Sequence, residues 1–447
     1  MSKNNILINK TILHYIALTN EFLTSEFTLL KYRVDKKDFT RKRKLSFDGL
    51  ALCMLKLLRQ NIQLELISFF EKASTTLSNA VSSYTSSAFV QSRKKLKPDL
   101  FYDLSALIAN DFYVDNDKAV LLYKGHRLIG VDGSTINLPV NKNTIKAFGT
   151  FNNQTKSNDV VIGRVSIMYD LLNEIVLDGI LCNYNVGEVS LSRQHIKLAQ
   201  VNDIIIMDRA YPSFETMFEM ESREIQFIFR CKTSFNNQVS KFYLSNKKQE
   251  TIIIKPAQNN SIKGLPYDKN ATIKVRMIKI ELPTGEIEIL ITSLKDIEKY
   301  PYKDFKELYF KRWGIETFYN RFKNIIGVEQ FSGKSEQFIL QEFNCALYIS
   351  NLQSLLTKEV QQEIEQKYAD RKYEYKVNSS MSLSIIRSKM LALFADQKNN
   401  QETLNQLKEL FVKNVIPIRP DRNFERKTDK YRSRTKPKQF SNRRTVL

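Results

Sequence analysis

Apolar positions recur at helical spacing through the first quarter of the chain. Residues 50–58 and 64–70 repeat every three to four positions, and a Ser-rich stretch from Asn79 leads into a basic helix ending near Lys95. The pattern changes at Tyr123. Residues 127–131 read as a short apolar strand stopping at Asp132-Gly133, and 160–169 and 174–182 read as an antiparallel pair joined at Leu172-Asn173. A helix over 188–200 is followed by Ile204-Ile205-Ile206-Met207, apolar on both faces and therefore a buried central strand, running into Asp208. From Ile225 to Ser293 strands dominate (227–230, 251–254, 271–280 and 286–292, with a turn signal at Pro283-Thr284-Gly285), which suggests an all-β insertion. Helices resume after Pro301: one framed by Asp304 as N-cap and Gly327 as C-cap, others over 341–358 and 382–394. Residues 419–444 are rich in Arg and Lys and read as a flexible basic tail.

A chain of 447 residues implies several structural units, and 42% hydrophobic and 11% aromatic residues are enough to build cores. The formal charge of +21 calls for a polyanionic partner. Nucleic acid leads, with a ribosome or an acidic membrane surface compatible with charge alone. Two basic runs, Lys36-Lys37 with Arg41-Lys42-Arg43-Lys44 and Arg93-Lys94-Lys95 with Lys97, read either as solvated faces or as DNA contacts. Cys53, Cys182, Cys231 and Cys345 are scattered, as are His14, His126 and His195, so neither a zinc knuckle, a disulfide framework nor a serine-type triad is expected. Any metal must be held by oxygen. No secretion signal and no uninterrupted apolar span are present, which removes a membrane reading and fits a reducing, cytoplasmic compartment.

Oxygen ligands for hard cations are carboxylates. Asp132 follows an apolar strand, where Asp-Gly is equally a turn signal, and Asp208 emerges from the end of the central strand. The third candidate lies on the helix near Trp313. At 100° per residue, Tyr309, Arg312, Glu316 and Lys323 share an arc of about 60°, while Leu308, Ile315, Phe318, Phe322 and Ile325 gather opposite. The polar arc is either solvated surface or a working face; Trp313, between the two, reads as a packing residue. Three carboxylates on two strands and a helix suit a pair of Mg²⁺ ions, which activate a nucleophile and neutralise a leaving oxygen in phosphodiester cleavage. Arg312 and Lys323 are placed to hold DNA phosphates.

With these residues in hand the sequence resembles the bacterial DDE transposases of the insertion-sequence-four family. Their signature helix of Tyr, two residues, Arg, three residues, Glu, six residues, Lys is matched by Tyr309, Arg312, Glu316 and Lys323. Gly130-Val131-Asp132-Gly133-Ser134-Thr135 and Met207-Asp208-Arg209-Ala210-Tyr211 are similar to the text around the first two acids, and Ser92-Arg93-Lys94-Lys95-Leu96 to a segment before them. The likeness runs from about Ser86 to Ile349. It implies an α/β fold: a ribonuclease-H-like catalytic core interrupted by a β-rich insertion, with helical regions at both ends. It further implies Asp132, Asp208 and Glu316 as catalytic metal ligands for two Mg²⁺, with Mn²⁺ as substitute, and Tyr309, Arg312 and Lys323 as DNA-binding residues. The implied partners are double-stranded DNA, as terminal inverted repeats and target, and a second copy in a dimeric synaptic complex, in a bacterial cytoplasm at the nucleoid. Hydrolysis would free a 3′-hydroxyl that cuts the opposite strand through a hairpin and later attacks target DNA. Some relatives stack a flipped base on a tryptophan in the last insertion strand; residues 286–292 hold none, leaving Tyr300 or Tyr302 as substitutes.

The expected units are a helical DNA-binding region (1–115), a first catalytic-core segment (116–220), the β-rich insertion (221–297), a second catalytic-core segment (298–360), and a helical region with the basic tail (361–447). The competing readings are a catalytically idle DNA-binding relative and a host nuclease on the same core.

Overall fold

The computed structural model describes residues 10–41, 43–57, 61–77, 84–115, 119–150, 160–257, 267–282, 285–395 and 399–419. The tail read over 419–444 lies outside them except for Arg419, as do Lys42, Pro283 and Thr284.

Six helices come first: α1 (Ile12–Thr24), α2 (Glu26–Tyr32), α3 (Phe47–Leu55), α4 (Ile62–Leu77), α5 (Ser86–Arg93) and α6 (Asp99–Tyr113). Ser46 and Thr85 start α3 and α5 by accepting the N–H of Gly49 and Ala88, each satisfying a backbone donor left open at a helix start. The C-terminal helices are α13 (Glu336–Lys367), α14 (Ser379–Ala395) and α15 (Asn400–Lys413). The helical regions expected over 1–115 and 361–447 are in contact, α14 packing on α1 and α4, while α13, which begins within the segment expected as catalytic core, packs on α1, α3 and α6 in the same apolar core. A short ribbon of β9 (Tyr375–Val377) and β10 (Val415–Pro417) ties off the C-terminal helices.

Between these regions lies a mixed eight-stranded sheet: β1 (Leu128–Leu138), β2 (Val161–Asp170), β3 (Ile175–Asn183), β4 (Ile204–Met207), β5 (Gln226–Cys231), β6 (Gln249–Ile254), β7 (Ile273–Glu281) and β8 (Ile287–Thr292), in the order β3-β2-β1-β4-β5-β8-β7-β6. β4 is parallel to both β1 and β5, and the remaining pairs are antiparallel. The segment read as an insertion therefore forms no sheet of its own; β8, β7 and β6 extend the central one. Nor is it all β, since α10 (Asn237–Leu244) lies within it, started by an Asn236 cap on Val239 N. Helices α7 (Lys142–Phe148), α8 (Glu188–Ile196) and α9 (Phe214–Ser222) complete the connections.

Two further departures matter for function. β1 does not stop at Asp132-Gly133: it pairs with β2 residue for residue as far as Leu138. The half-exposed run from Asp132 to Thr135 lacks apolar alternation, so the signal faded while the backbone ladder continued. The helix expected from Asp304 to Gly327 is two helices, α11 (Asp304–Phe310) and α12 (Trp313–Asn324), with a break at Lys311-Arg312. Asp304 is the first residue of α11 rather than its cap, and its carboxylate accepts from Tyr123 and Lys124.

Candidate active site

Side chains alternate across a strand, so residue parity assigns faces. On β1, Ile129 and Val131 enter one core with Ile205 and Met207 of β4, while Leu128 joins Ile204 and Ile206 in another on the opposite face. Asp132 and Asp208 have even parity and share that second face. The parallel register pairs Leu128 with Ile204 and Gly130 with Ile206; continued by two residues, it sets Asp132 beside Asp208. α12 lies over the same face at close range, because Gly130 has no side chain: a Cβ there would sit 3.0 Å from Leu171 Cδ2 and 3.5 Å from Ile315 Cβ. Ile315 is buried against the sheet, and the next residue is Glu316. Two strands and one helix thus bring three acids remote in sequence to one face.

Two arginines lie among them. Arg312 Nη2 donates to Glu316 Oε1 at 2.8 Å, and Nη1 approaches Asp132 Oδ2 at 4.0 Å. Asp208 accepts from the Tyr309 phenol at 3.3 Å and lies 3.8 Å from Arg230 Nη1. Among the described residues no three His, Cys, Asp or Glu side chains converge closely enough to hold a metal ion as they stand. The position among the acids is taken by a guanidinium, which marks it as a place that demands positive charge. Burial, against the opposing Gly133 N–H and Arg312 and with Glu316 and Glu188 adding to it, pushes the Asp132 carboxyl up to about 6. Burial works to lower the Arg312 pKa, but Tyr309, Glu316 and Asp208 outweigh it, so the group stays charged.

Tyr309 and Arg312 are 6% and 5% exposed, so the polar arc of the helix is not a solvated face; it is folded into the site. Lys323 Nζ donates to Ser134 Oγ on β1 at 2.7 Å, about two turns of α12 beyond Glu316, and burial lowers its pKa. Trp313, expected to pack, is 41% exposed, and Phe310 beside it 69%. Tyr300 is buried with its hydroxyl hydrogen-bonded to His126 Nε2, and Tyr302, half-buried, donates to the Lys279 carbonyl.

Several neighbours were not nominated from the sequence. Arg230 bridges Asp208 and Glu288, contacting the latter at 2.9 Å. A charge inside each of the apolar strands 226–231 and 287–292 was the available signal, since buried charges occur in pairs. Tyr319 donates to the Asp132 carbonyl at 2.8 Å, fixing β1 beneath α12. Glu188 approaches from the other face of the sheet, under Gly133, and pairs with Arg164. A Ser166–His195–Asp178 string also exists, with His195 hydrogen-bonded to both partners, but Ser166 and His195 are buried in the core and the string serves packing. The basic run at 93–97 divides: Arg93 is 1% exposed, Lys95 lies 3.5 Å from Asp38, and Lys94 is exposed.

A family model described as a transposase DDE domain matches residues 123–352, just over half of the 447 residues. Among solved structures there is a likeness to the piggyBac transposase synaptic complex with hairpin DNA, at 10% identity and a TM-score of 0.42, covering 89% of this chain and 85% of that one. No curated protein matches.

Proposed function

The chain belongs to the transposase DDE domain family, and from that premise we propose that it is a cut-and-paste DNA transposase of the insertion-sequence-four type, with Asp132, Asp208 and Glu316 as its catalytic acids. One observation carries the reading: two aspartates of equal parity on adjacent parallel strands and a glutamate on the helix covering that face converge, Asp132 and Glu316 on Arg312, and Asp208 on Tyr309 and Arg230. The order β3-β2-β1-β4-β5, antiparallel in its first three strands and parallel thereafter, supports a ribonuclease-H-like core, with β6 to β8 as the inserted strands that extend it.

The donor set suits hard divalent cations: carboxylate oxygens only, one of them in a half-buried Asp132 whose pKa is raised. Asp132, Asp208 and Glu316 would hold two Mg²⁺, or Mn²⁺ in their place, and the chemistry so supplied is activation of a water or 3′-hydroxyl and neutralisation of the leaving oxygen. The protein's own groups do the rest. Tyr309 and Arg230 fix the Asp208 carboxylate, and the Tyr319 hydroxyl anchors the Asp132 backbone. Arg312 presents a planar fork to a scissile phosphate, and Lys323 a point charge further along the strand. Exposed basic side chains of the helical regions, Lys94 among them, supply backbone contacts to the terminal inverted repeats, and a dimer synapses two ends. Action at the bacterial nucleoid follows from that substrate.

Incubating the full-length protein with Mg²⁺ and labelled DNA spanning the inverted ends that flank its reading frame tests the proposal on denaturing gels. Nicks at the element boundary followed by joined products are expected. Cleavage without joining would favour a host nuclease, and binding without cleavage an idle relative.

A further inference from the structure

Arg312 is an unusual occupant of a carboxylate site. Its guanidinium is 5% exposed, donates to Glu316 and reaches toward Asp132, yet Nε is buried and makes no hydrogen bond among the described residues. Its centre lies 5.7 Å from the Tyr309 ring and 5.4 Å from the Trp313 ring. A buried donor with nothing to bond is costly to keep, so the group is poised for a further acceptor. Its backbone sits at the break between α11 and α12, as the residue that caps the start of α12. Arg312 holds Glu316 Oε1, and the Coulomb repulsion between a guanidinium and a divalent ion at one carboxylate opposes loading the second beside the first.

We propose that Arg312 is a built-in placeholder cation. In the DNA-free protein it neutralises Asp132 and Glu316 and keeps divalent ions out; a DNA phosphate, matching its fork bidentately and engaging the idle Nε–H, draws it off the carboxylates. Metal loading therefore follows DNA docking, and hydrolysis is withheld until a strand is seated. The inference rests on the reading of Asp132 and Glu316 as metal ligands. It accounts for three acids that face one another yet form no ready cage.

Mn²⁺ affinity, read by electron paramagnetic resonance on the full chain, tests this without recourse to activity. The probe is a duplex copied from the DNA flanking the reading frame. The parent should bind Mn²⁺ weakly alone and about 10-fold or more tightly with the duplex, the size of an ordinary coupling between sites. Arg312→Gln should bind tightly without DNA and gain little from it. Arg312→Lys, which keeps the charge, should stay weak when DNA-free, and circular dichroism should show both variants folded. Equal parental affinity with and without the duplex, or weak DNA-free binding by Arg312→Gln, would overturn the placeholder. Mn²⁺ binding unchanged in both Asp132→Asn and Glu316→Gln would instead remove the metal site on which the inference rests.

Discussion

Replacing Arg93 separates a structural charge from a DNA-binding one. The side chain is 1% exposed and fully engaged: Nε donates to Gln341 Oε1 at 2.7 Å, Nη1 to Ser332 Oγ at 2.7 Å, and Nη2 to the Phe338 carbonyl at 2.7 Å and to Glu342 Oε1 at 2.8 Å. Its guanidinium also stacks 4.2 Å from the Phe338 ring centre. Arg93→Met removes the cation but leaves Glu342, itself 6% exposed, with a buried charge. Breaking such a pair from one side costs about 3–5 kcal/mol, more than the pair itself contributes, because the abandoned carboxylate has lost its counter-charge. Because Arg93 joins α5 to α13, the loss falls on the apolar core that α13 shares with the N-terminal helices. Urea denaturation followed by circular dichroism should show a lower midpoint at unchanged slope. The salt dependence of DNA binding should stay at the parental value, whereas Lys94→Gln, exposed one residue away, should reduce the slope by about 0.9, one phosphate contact. An Arg93→Met protein as stable as the parent but with a reduced salt slope would refute the reasoning, for it would mean that Arg93 faces DNA.

Lys358 gives stability an alkaline signature. Burial lowers its pKa to about 8 despite Asp170 and Glu174 nearby, so the unfolded chain binds more protons between pH 8 and 10.5 and stability rises through that window by about 3 kcal/mol. In Lys358→Met the rise should vanish and stability at pH 7 should exceed the parent's; an unchanged pH profile by urea titration would contradict the assignment. Trp313 is the only tryptophan and is 41% exposed at the start of α12, so acrylamide should quench its fluorescence in the free protein and do so less well once end DNA is bound. Equal quenching in both states would mean that DNA does not approach this end of the helix.

How much of this could be read beforehand depends on whether a signal was local. The apolar run Ile204–Met207 announced its own burial, and the spacing of Tyr309, Arg312, Glu316 and Lys323 announced a shared side, because helix and strand periods act over a few residues. Membership of the eight-stranded sheet by β6 to β8 was illegible, since strand pairing depends on partners distant in the chain. The continuation of β1 through Asp132-Gly133 was hidden for a related reason: the ladder with β2 overrides a turn-prone dipeptide. Arg93 and Arg312 show the same limit for charges. Nothing in a run of basic residues marks which member turns inward, and Arg93 is buried only because α13 brings Gln341 and Glu342 to it. The interval between Arg312 and Glu316 told that the two meet; that the arginine would stand between Glu316 and Asp132 required the fold of β1 beneath α12.

The most direct measurement is boundary cleavage by Asp132→Asn, Asp208→Asn and Glu316→Gln, each assayed beside its affinity for the same labelled end. Every variant should bind the end about as well as the parent and leave the strand uncut in Mg²⁺. Parental cleavage by any one of them would take that side chain out of the reaction, and with it the claim that the three acids form a single catalytic centre.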